Sequence, residues 1–323
     1  LWNQTINTLD RDPNDPDVLY FGTGEALSNP EEEFIAIYRI EDKWEHGEYL
    51  IWWENWDQCG WSQVNRIVID PDSSNIIYAA GYNSGYCGNY GALLISRDSG
   101  ATWNDKEIDG TFGDYACNLA MVKNSLGEKT LFVITDMQDL GTDPKLLKSK
   151  DLGESWEVVD SPYPGDLNTG SLMVHPQDPG TLIIGSKDYE RPIWLYTEES
   201  DNWDFIIGSG LPPTIPNTYI LPGPEETTLW YLATYYGGIY RSTGFDGRWD
   251  QINSGINNSR VNDFAVDPDK PSNIYAATER FYKLYRSTDG AASWEINFGS
   301  QMASFDVVEI DPNQASTFWA AKS

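Results

Sequence analysis

Four acidic residues stand at matching places in a repeated pattern. Glu25, Asp136, Asp188 and Glu279 each come just after an apolar run that ends in small residues: Leu19-Tyr-Phe-Gly-Thr-Gly24, Leu131-Phe-Val-Ile-Thr135, Leu182-Ile-Ile-Gly-Ser186 and Ile274-Tyr-Ala-Ala-Thr278. Tyr82, Tyr235, Arg280 and Lys322 occupy or adjoin the same place in the other copies. Two carboxylates about 5–9 Å apart, one of them kept protonated, are what glycosidic hydrolysis requires. Glu25 with Asp136 is the pair these matching positions offer first, with Asp139 close by. The competing reading is a solvated loop rim, and a one-residue slip in register would turn each side chain to the other face.

Aromatic residues crowd the same region. Residues 26–63 form the longest insertion and carry Trp44, Trp52, Trp53, Trp56 and Trp61, with Tyr38 and Tyr49. Five tryptophans within 18 residues exceed what one hairpin core needs. Core packing accounts for some of them; exposed faces would stack on sugar rings. Tyr82, Tyr86 and Tyr90 in the next such loop, and Tyr235-Tyr236 later, would extend the platform. The ligand-binding candidates are therefore Trp52, Trp53, Trp56, Tyr82, Asp188, Tyr235, Glu279 and Arg280.

The elements that must position these residues are strands. Seven times an apolar run, a turn and a second apolar run recur, with Asp-Pro at Asp12, Asp70, Asp267 and Asp311, and His175-Pro176 in the fourth copy. Proline in the turns and β-branched or aromatic residues in the runs disfavour helices. Between these hairpins a second pattern, Ser/Thr-x-Asp-x-Gly-x-x-Trp, is read at Ser96–Trp103, Ser149–Trp156 and Ser287–Trp294. Asp98, Asp151 and Asp289 would accept backbone N–H groups in a hairpin turn, and glycine would supply a positive φ. Trp103, Trp156 and Trp294 would begin the returning strand with a large buried ring. Worn versions stand at Thr197–Trp203 and Ser242–Trp249.

This second pattern resembles the Asp-box, or BNR repeat, and the chain is similar to the Asp-box β-propellers, a superfamily of sialidases, sortilin-type receptors and xyloglucan-degrading glycosidases. The resemblance and the hairpin count together imply an all-β, seven-bladed propeller of four-stranded blades, whose seventh blade stops at Ser323 before its second strand pair. Residues 1–323 are read as one propeller domain of a longer secreted chain. In the xyloglucan-active branch a catalytic Asp follows a strand of similar form in the first blade; Glu25 holds that position here, and a second propeller supplying the partner acid has no counterpart in the repeats. A sialidase would need three converging arginines. Arg66, Arg241 and Arg280 are present, but no spacing selects them.

Composition sets outer bounds. Fifty Asp plus Glu against 21 Lys plus Arg give a net charge of −29. Such a field repels phosphate backbones, which argues against nucleic acid and anionic membrane as partners. It suits solubility in a salty or extracellular medium, and Ca²⁺ is the cation it would admit; no cofactor is required and no metal ligand set is legible. No apolar run approaches 18 residues, so no membrane span is expected. Cys59, Cys87 and Cys117 lack metal-ligand spacing; a Cys59–Cys87 disulfide with one leftover thiol, and three buried thiols, both fit. His46 and His175 make neither a metal site nor a triad. The function expected first is an extracellular or cell-surface binding module that engages polysaccharide or a surface protein through the mouth ring and the Trp-rich insertion. A glycoside hydrolase using Glu25 and Asp136, and a scaffolding propeller in a surface assembly, are the alternatives.

Overall fold

The computed structural model describes the chain except residues 1–4, 16, 25–33, 42–45, 55–60, 84–89, 113, 138–142, 163–164, 166, 187–192, 207–208, 212–217, 223–228, 235–236, 245–247, 257–260, 268–269, 279–282, 300–304, 311–317 and 323. The described residues form an all-β propeller of antiparallel meanders. Strands β1 (Thr5–Arg11), β2 (Leu19–Gly24), β3 (Phe34–Glu41) and β4 (His46–Glu54) pair in succession, as do β5 (Trp61–Ile69), β6 (Ile77–Asn83), β7 (Tyr90–Ser96) and β8 (Asn104–Phe112). The pair Gly24↔Gln63 joins these two sets into one eight-stranded sheet.

Four-stranded sheets follow. They are β9 (Asp114–Lys123), β10 (Lys129–Met137), β11 (Lys145–Ser149) and β12 (Glu157–Val159); then β13 (Leu167–His175), β14 (Asp178–Ser186), β15 (Ile193–Thr197) and β16 (Asn202–Ile206). Next come β17 (Thr218–Pro222), β18 (Leu229–Thr234), β19 (Gly238–Thr243) and β20 (Asp250–Gln251), and then β21 (Val261–Val266), β22 (Ile274–Thr278), β23 (Lys283–Ser287) and β24 (Glu295–Gly299). The last described sheet has two strands, β25 (Phe305–Ile310) and β26 (Phe318–Lys322). The sheet count therefore does not by itself divide into seven blades. By compactness the chain falls into two units, Leu1–Gly165 with Leu172–Leu182, and Asp166–Ser171 with Ile183–Ser323. The segment expected to be an insertion, 26–63, contains β3, β4 and the start of β5.

The second strands carry an unbroken apolar run because that run has a core on both faces. In the first unit Ile77 and Ala79 pack with Val18, Tyr20, Ile37, Val64 and Leu94, while Tyr78 and Ala80 pack with Leu119, Leu131 and Val133. In the second unit Ile274 and Ala276 pack with Tyr231, Ile239 and Phe264, and Tyr275 and Ala277 with Val308 and Ile310. Alternate residues thus serve alternate cores, so two-residue periodicity leaves no polar face.

Turns between first and second strands are held by buried acids. Asp12 accepts from Asn14 N at 2.8 Å, Asp70 from Asp72 N at 2.9 Å and Asp267 from Lys270 N at 2.9 Å. His175 does the same work with a ring nitrogen: Nδ1 accepts from Gln177 N (3.2 Å) and Asp178 N (3.1 Å), and burial holds its pKa below the ordinary value. Lys129 reaches back to Asp70 at 2.6 Å and Asp72 at 2.9 Å. Burial pulls the Lys129 ammonium down, but these two carboxylates outweigh it and its pKa ends above normal.

The Ser-x-Asp turns between third and fourth strands repeat atom for atom. In Ser96–Trp103 the Asp98 carboxylate accepts from Ser96 Oγ (2.9 Å), Thr102 N (2.8 Å) and Thr102 Oγ1 (2.7 Å), and Gly100 N donates to Ser96 Oγ (2.7 Å). Asp151 and Asp289 are held alike by Ser149 with Ser155 and by Ser287 with Ser293. Two consecutive residues take positive φ: Ser99 and Gly100 (60° and 90°), Leu152 and Gly153 (58° and 97°), Gly290 and Ala291 (68° and 68°). The third copy thus departs from the expected spacing. Its glycine stands one place early, and Ala291 takes the left-handed position that Gly100 and Gly153 fill. Each tryptophan packs into the core shared with the preceding strand set, Trp103 with Val18 and Ile37, Trp156 with Tyr78 and Leu93, Trp294 with Tyr231 and Ile239.

Ser-Gly pairs receive the backbones of Trp249 and Trp294. Trp249 N donates to Ser209 O and Trp294 N to Ser254 O, both at 2.8 Å. A Cβ on Gly210 would meet Trp249 O at 2.3 Å, and one on Gly255 would meet Trp294 O at 2.2 Å, so only glycine lets the next turn approach.

Candidate functional site

Among the described residues, three of the expected positions fall near the end of a second strand: Tyr82, Asp136 and Lys322. Asp136 lies within β10, paired with Tyr115, and Tyr82 within β6, paired with Gln63. Trp52 and Trp53 lie within β4, paired with Ala36 and Ile35. Glu25, Trp56, Asp188, Tyr235, Glu279 and Arg280 lie outside the described residues, as do Cys59 and Cys87. Asp136 is therefore a strand residue, not the loop residue its sequence position suggested. The β10 hairpin runs further than the apolar run did, because backbone pairing with β9 continues to Met137.

The strand ends that carry these positions share a hydroxyl that the sequence reading passed over. Thr23, Thr135, Ser186, Thr234 and Thr278 are all buried and stand just before Gly24, Asp136, Lys187, Tyr235 and Glu279. Thr23 Oγ1 accepts from Ala36 N at 2.9 Å, Thr234 Oγ1 accepts from Gly237 N at 2.8 Å, and Thr278 Oγ1 donates to Lys283 O at 2.9 Å. In these three sheets the hydroxyl ties the start of the third strand to the end of the second. The signal was in the sequence: a Ser or Thr closes four of the seven small-residue runs and stands last but one in the first.

The first strands carry a second shared feature. Asn7, Asn65, Cys117, Asn262 and Asp306 are each the extra residue of a β-bulge opposite that same strand end. A bulge re-aims its side chain. Asn65 Nδ2 donates to Ala116 O on β9 at 2.8 Å. The residue after the bulge ties neighbouring first strands together: Ile67 N donates to Thr8 Oγ1 (3.3 Å), and Val308 N to Asp263 Oδ2 (2.9 Å). These side chains satisfy an edge that would otherwise present bare N–H groups. Asn7, Asn65 and Asn262 precede Asp12, Asp70 and Asp267 by five residues each, a spacing legible in the chain.

Asp10 on β1 is the acid on this edge whose pKa is displaced. Burial raises it, against the lowering pull of Arg66 and of backbone N–H bonds from Arg11 and Ile69. Arg66, considered for binding a substrate carboxylate, thus faces Asp10. Arg241 donates Nη1 to Gly290 O at 2.7 Å and serves the neighbouring turn. Among the described residues no group of three or more His, Cys, Asp or Glu is placed to hold a metal ion, and Cys117 is in no disulfide. No helix among the described residues is long and apolar enough to cross a membrane.

No protein-family model matches the chain. The xyloglucanase Xgh74A of Acetivibrio thermocellus is 25% identical over 321 residues, covering 87% of this chain and 38% of its own length. The GH74 enzyme of Niastella koreensis superposes with a TM-score of 0.72 at 16% identity, over 99% of this chain and 51% of that one. YCF48 from Cyanidioschyzon merolae superposes with a TM-score of 0.66 at 12% identity, over 99% of this chain and 93% of that one. The chain is a β-propeller. It spans well under half the length of its curated xyloglucanase relative.

Proposed function

We propose that this propeller binds neutral polysaccharide of the xyloglucan class, outside the cell or at its surface, through the loops that follow the second strands. The observation that carries the reading is the sequence similarity to a xyloglucanase along 87% of the chain. The net charge of −29 is consistent with it, because it disfavours anionic polymers and leaves neutral glycans. The Ser-x-Asp turns support membership of the Asp-box group. A seven-bladed count is supported by the single pair, Gly24↔Gln63, that joins β1–β4 to β5–β8: divided there, the strands make six sets of four and one of two.

Hydrolysis is the second reading, favoured by the relative's activity, with Glu25 and Asp136 as the carboxylates. One panel separates the two. Plant, algal and bacterial polysaccharides are incubated with the protein and scored for retention and for new reducing ends. Binding without cleavage is the expected result. Reducing ends that vanish in Glu25→Gln would establish the hydrolase instead, and neither signal would shift the function to protein assembly.

A further inference from the structure

The outer hairpin of the β13–β16 sheet carries a face made of rings. Strand pairing sets Trp194 opposite Phe205 and Tyr196 opposite Trp203, so the four side chains share one face. Trp194 and Tyr196 are buried and support the outer pair. Trp194 lies edge-on to Trp203 at 6.1 Å and 5.5 Å from Phe205, and Tyr196 lies 5.0 Å from Trp203. Trp203 is half-buried and Phe205 is 42% exposed. The corresponding places in β12 and β24 hold Val158 and Ile296, 54% and 52% exposed. Exposure there is thus common to several sheets, but a ring backed by rings occurs on β16.

The surroundings choose the occupant. Glu199 and Asp201 are exposed in the turn that closes this hairpin, and Asn202 and Asp204 are exposed on the opposite face of β16. Asp201 accepts from Tyr196 Oη at 2.5 Å, which ties the acidic turn to the aromatic face. Asp204 accepts from Phe205 N at 2.8 Å. A carboxylate at the end of a ring face, as Asp201 is here, suits the hydroxyls of a sugar whose C–H groups lie on the rings. Three carboxylates repel an anionic polymer, and acidic side chains along an outer strand oppose the addition of a peptide strand. We infer that this face is a second glycan-stacking site, on an outer hairpin and apart from the second-strand loops, which takes a neutral polysaccharide chain on Phe205 and Trp203. It rests on the polysaccharide reading above.

The test is affinity electrophoresis of the whole chain in gels containing xyloglucan, with a polygalacturonate gel as the anionic control. Phe205→Ala should weaken retardation by xyloglucan about fivefold, the scale of one lost ring contact, while Phe205→Trp should restore it. Val158→Ala and Ile296→Ala, equally exposed on corresponding strands, should leave it unchanged, and polygalacturonate should retard none of them. If the unaltered protein is retarded and Phe205→Ala matches it, this site is overturned and the polysaccharide reading stands. Equal weakening in all three alanine variants also overturns it, since the cause would then be stability. No retardation of the unaltered protein overturns both.

Discussion

Two kinds of carboxylate occur in this chain, and they respond to acid in opposite ways. Hydroxyl and backbone donors of Ser155 and Ser293 hold Asp151 and Asp289 at a pKa of about 2, down from 3.8. A depressed folded pKa contributes stability that is present above the unfolded value and is lost as pH falls through the folded one. Thermal unfolding followed from pH 5 to pH 2 should therefore show the melting temperature falling steeply below about pH 4. Asp289→Asn should melt lower at neutral pH and lose less over that range. Asp10 works the other way: burial raises its folded pKa, so its contribution is complete below the ordinary value and is lost as pH rises through the raised one. Asp10→Asn should flatten the dependence of the melting temperature on pH above the ordinary carboxylate value. Backbone strain belongs to the same scale. Ser99 sits at φ 60°, where a Cβ is unfavourable, and Ser99→Gly should stabilise the fold by about 0.5 kcal/mol in denaturant unfolding, after the entropy cost of glycine.

At the scale of elements, the turns are the rivets between strand sets. Trp294 donates Nε1 to Ile252 O at 2.7 Å, whereas Trp249 Nε1 is buried with no partner among the described residues. Trp294→Phe should therefore cost about 1 kcal/mol more than Trp249→Phe, the worth of one buried hydrogen bond. A reversed order would mean that ring packing outweighs that bond. The glycines that receive these turns have less latitude than the rings. Gly255→Ala puts a methyl against the Trp294 carbonyl at φ 99°. It should destabilise by roughly 2–3 kcal/mol, as should Gly210→Ala against the Trp249 carbonyl. The strand ends follow the same logic. The hydroxyl of Thr234 bridges to Gly237 and Gly238 and so ties the end of β18 to the start of β19.

For the whole molecule, charge dominates. A net −29 spread over 323 residues repels itself in the folded state. Screening shortens from about 30 Å at 0.01 M salt to about 3 Å at 1 M, so the melting temperature should rise with sodium chloride across that range. An unchanged melting temperature would show that acidic side chains are already neutralised locally, as Asp70 and Asp72 are by Lys129.

The repeats made the strand pairs legible because each apolar run carries its own turn signal, and local hydrogen bonding at Asp12, Asp70 and Asp98 needs only neighbours in the chain. Charge, and with it the class of polymer disfavoured, was likewise a property of composition. What the chain could not disclose is whatever depends on a neighbouring strand. Asp136 read as a loop residue until its pairing with Tyr115 placed it in β10. The bulges at Asn7 and Asn65 exist only against β2 and β6. The four rings of the β15–β16 face come together through register, since Trp194 and Phe205 are far apart in the turn-by-turn pattern and adjacent only across the hairpin. Sequence by itself determined the periods and the turns, which are short-range; tertiary structure decided which side chains share a surface, because one residue of register exchanges the two faces of a strand.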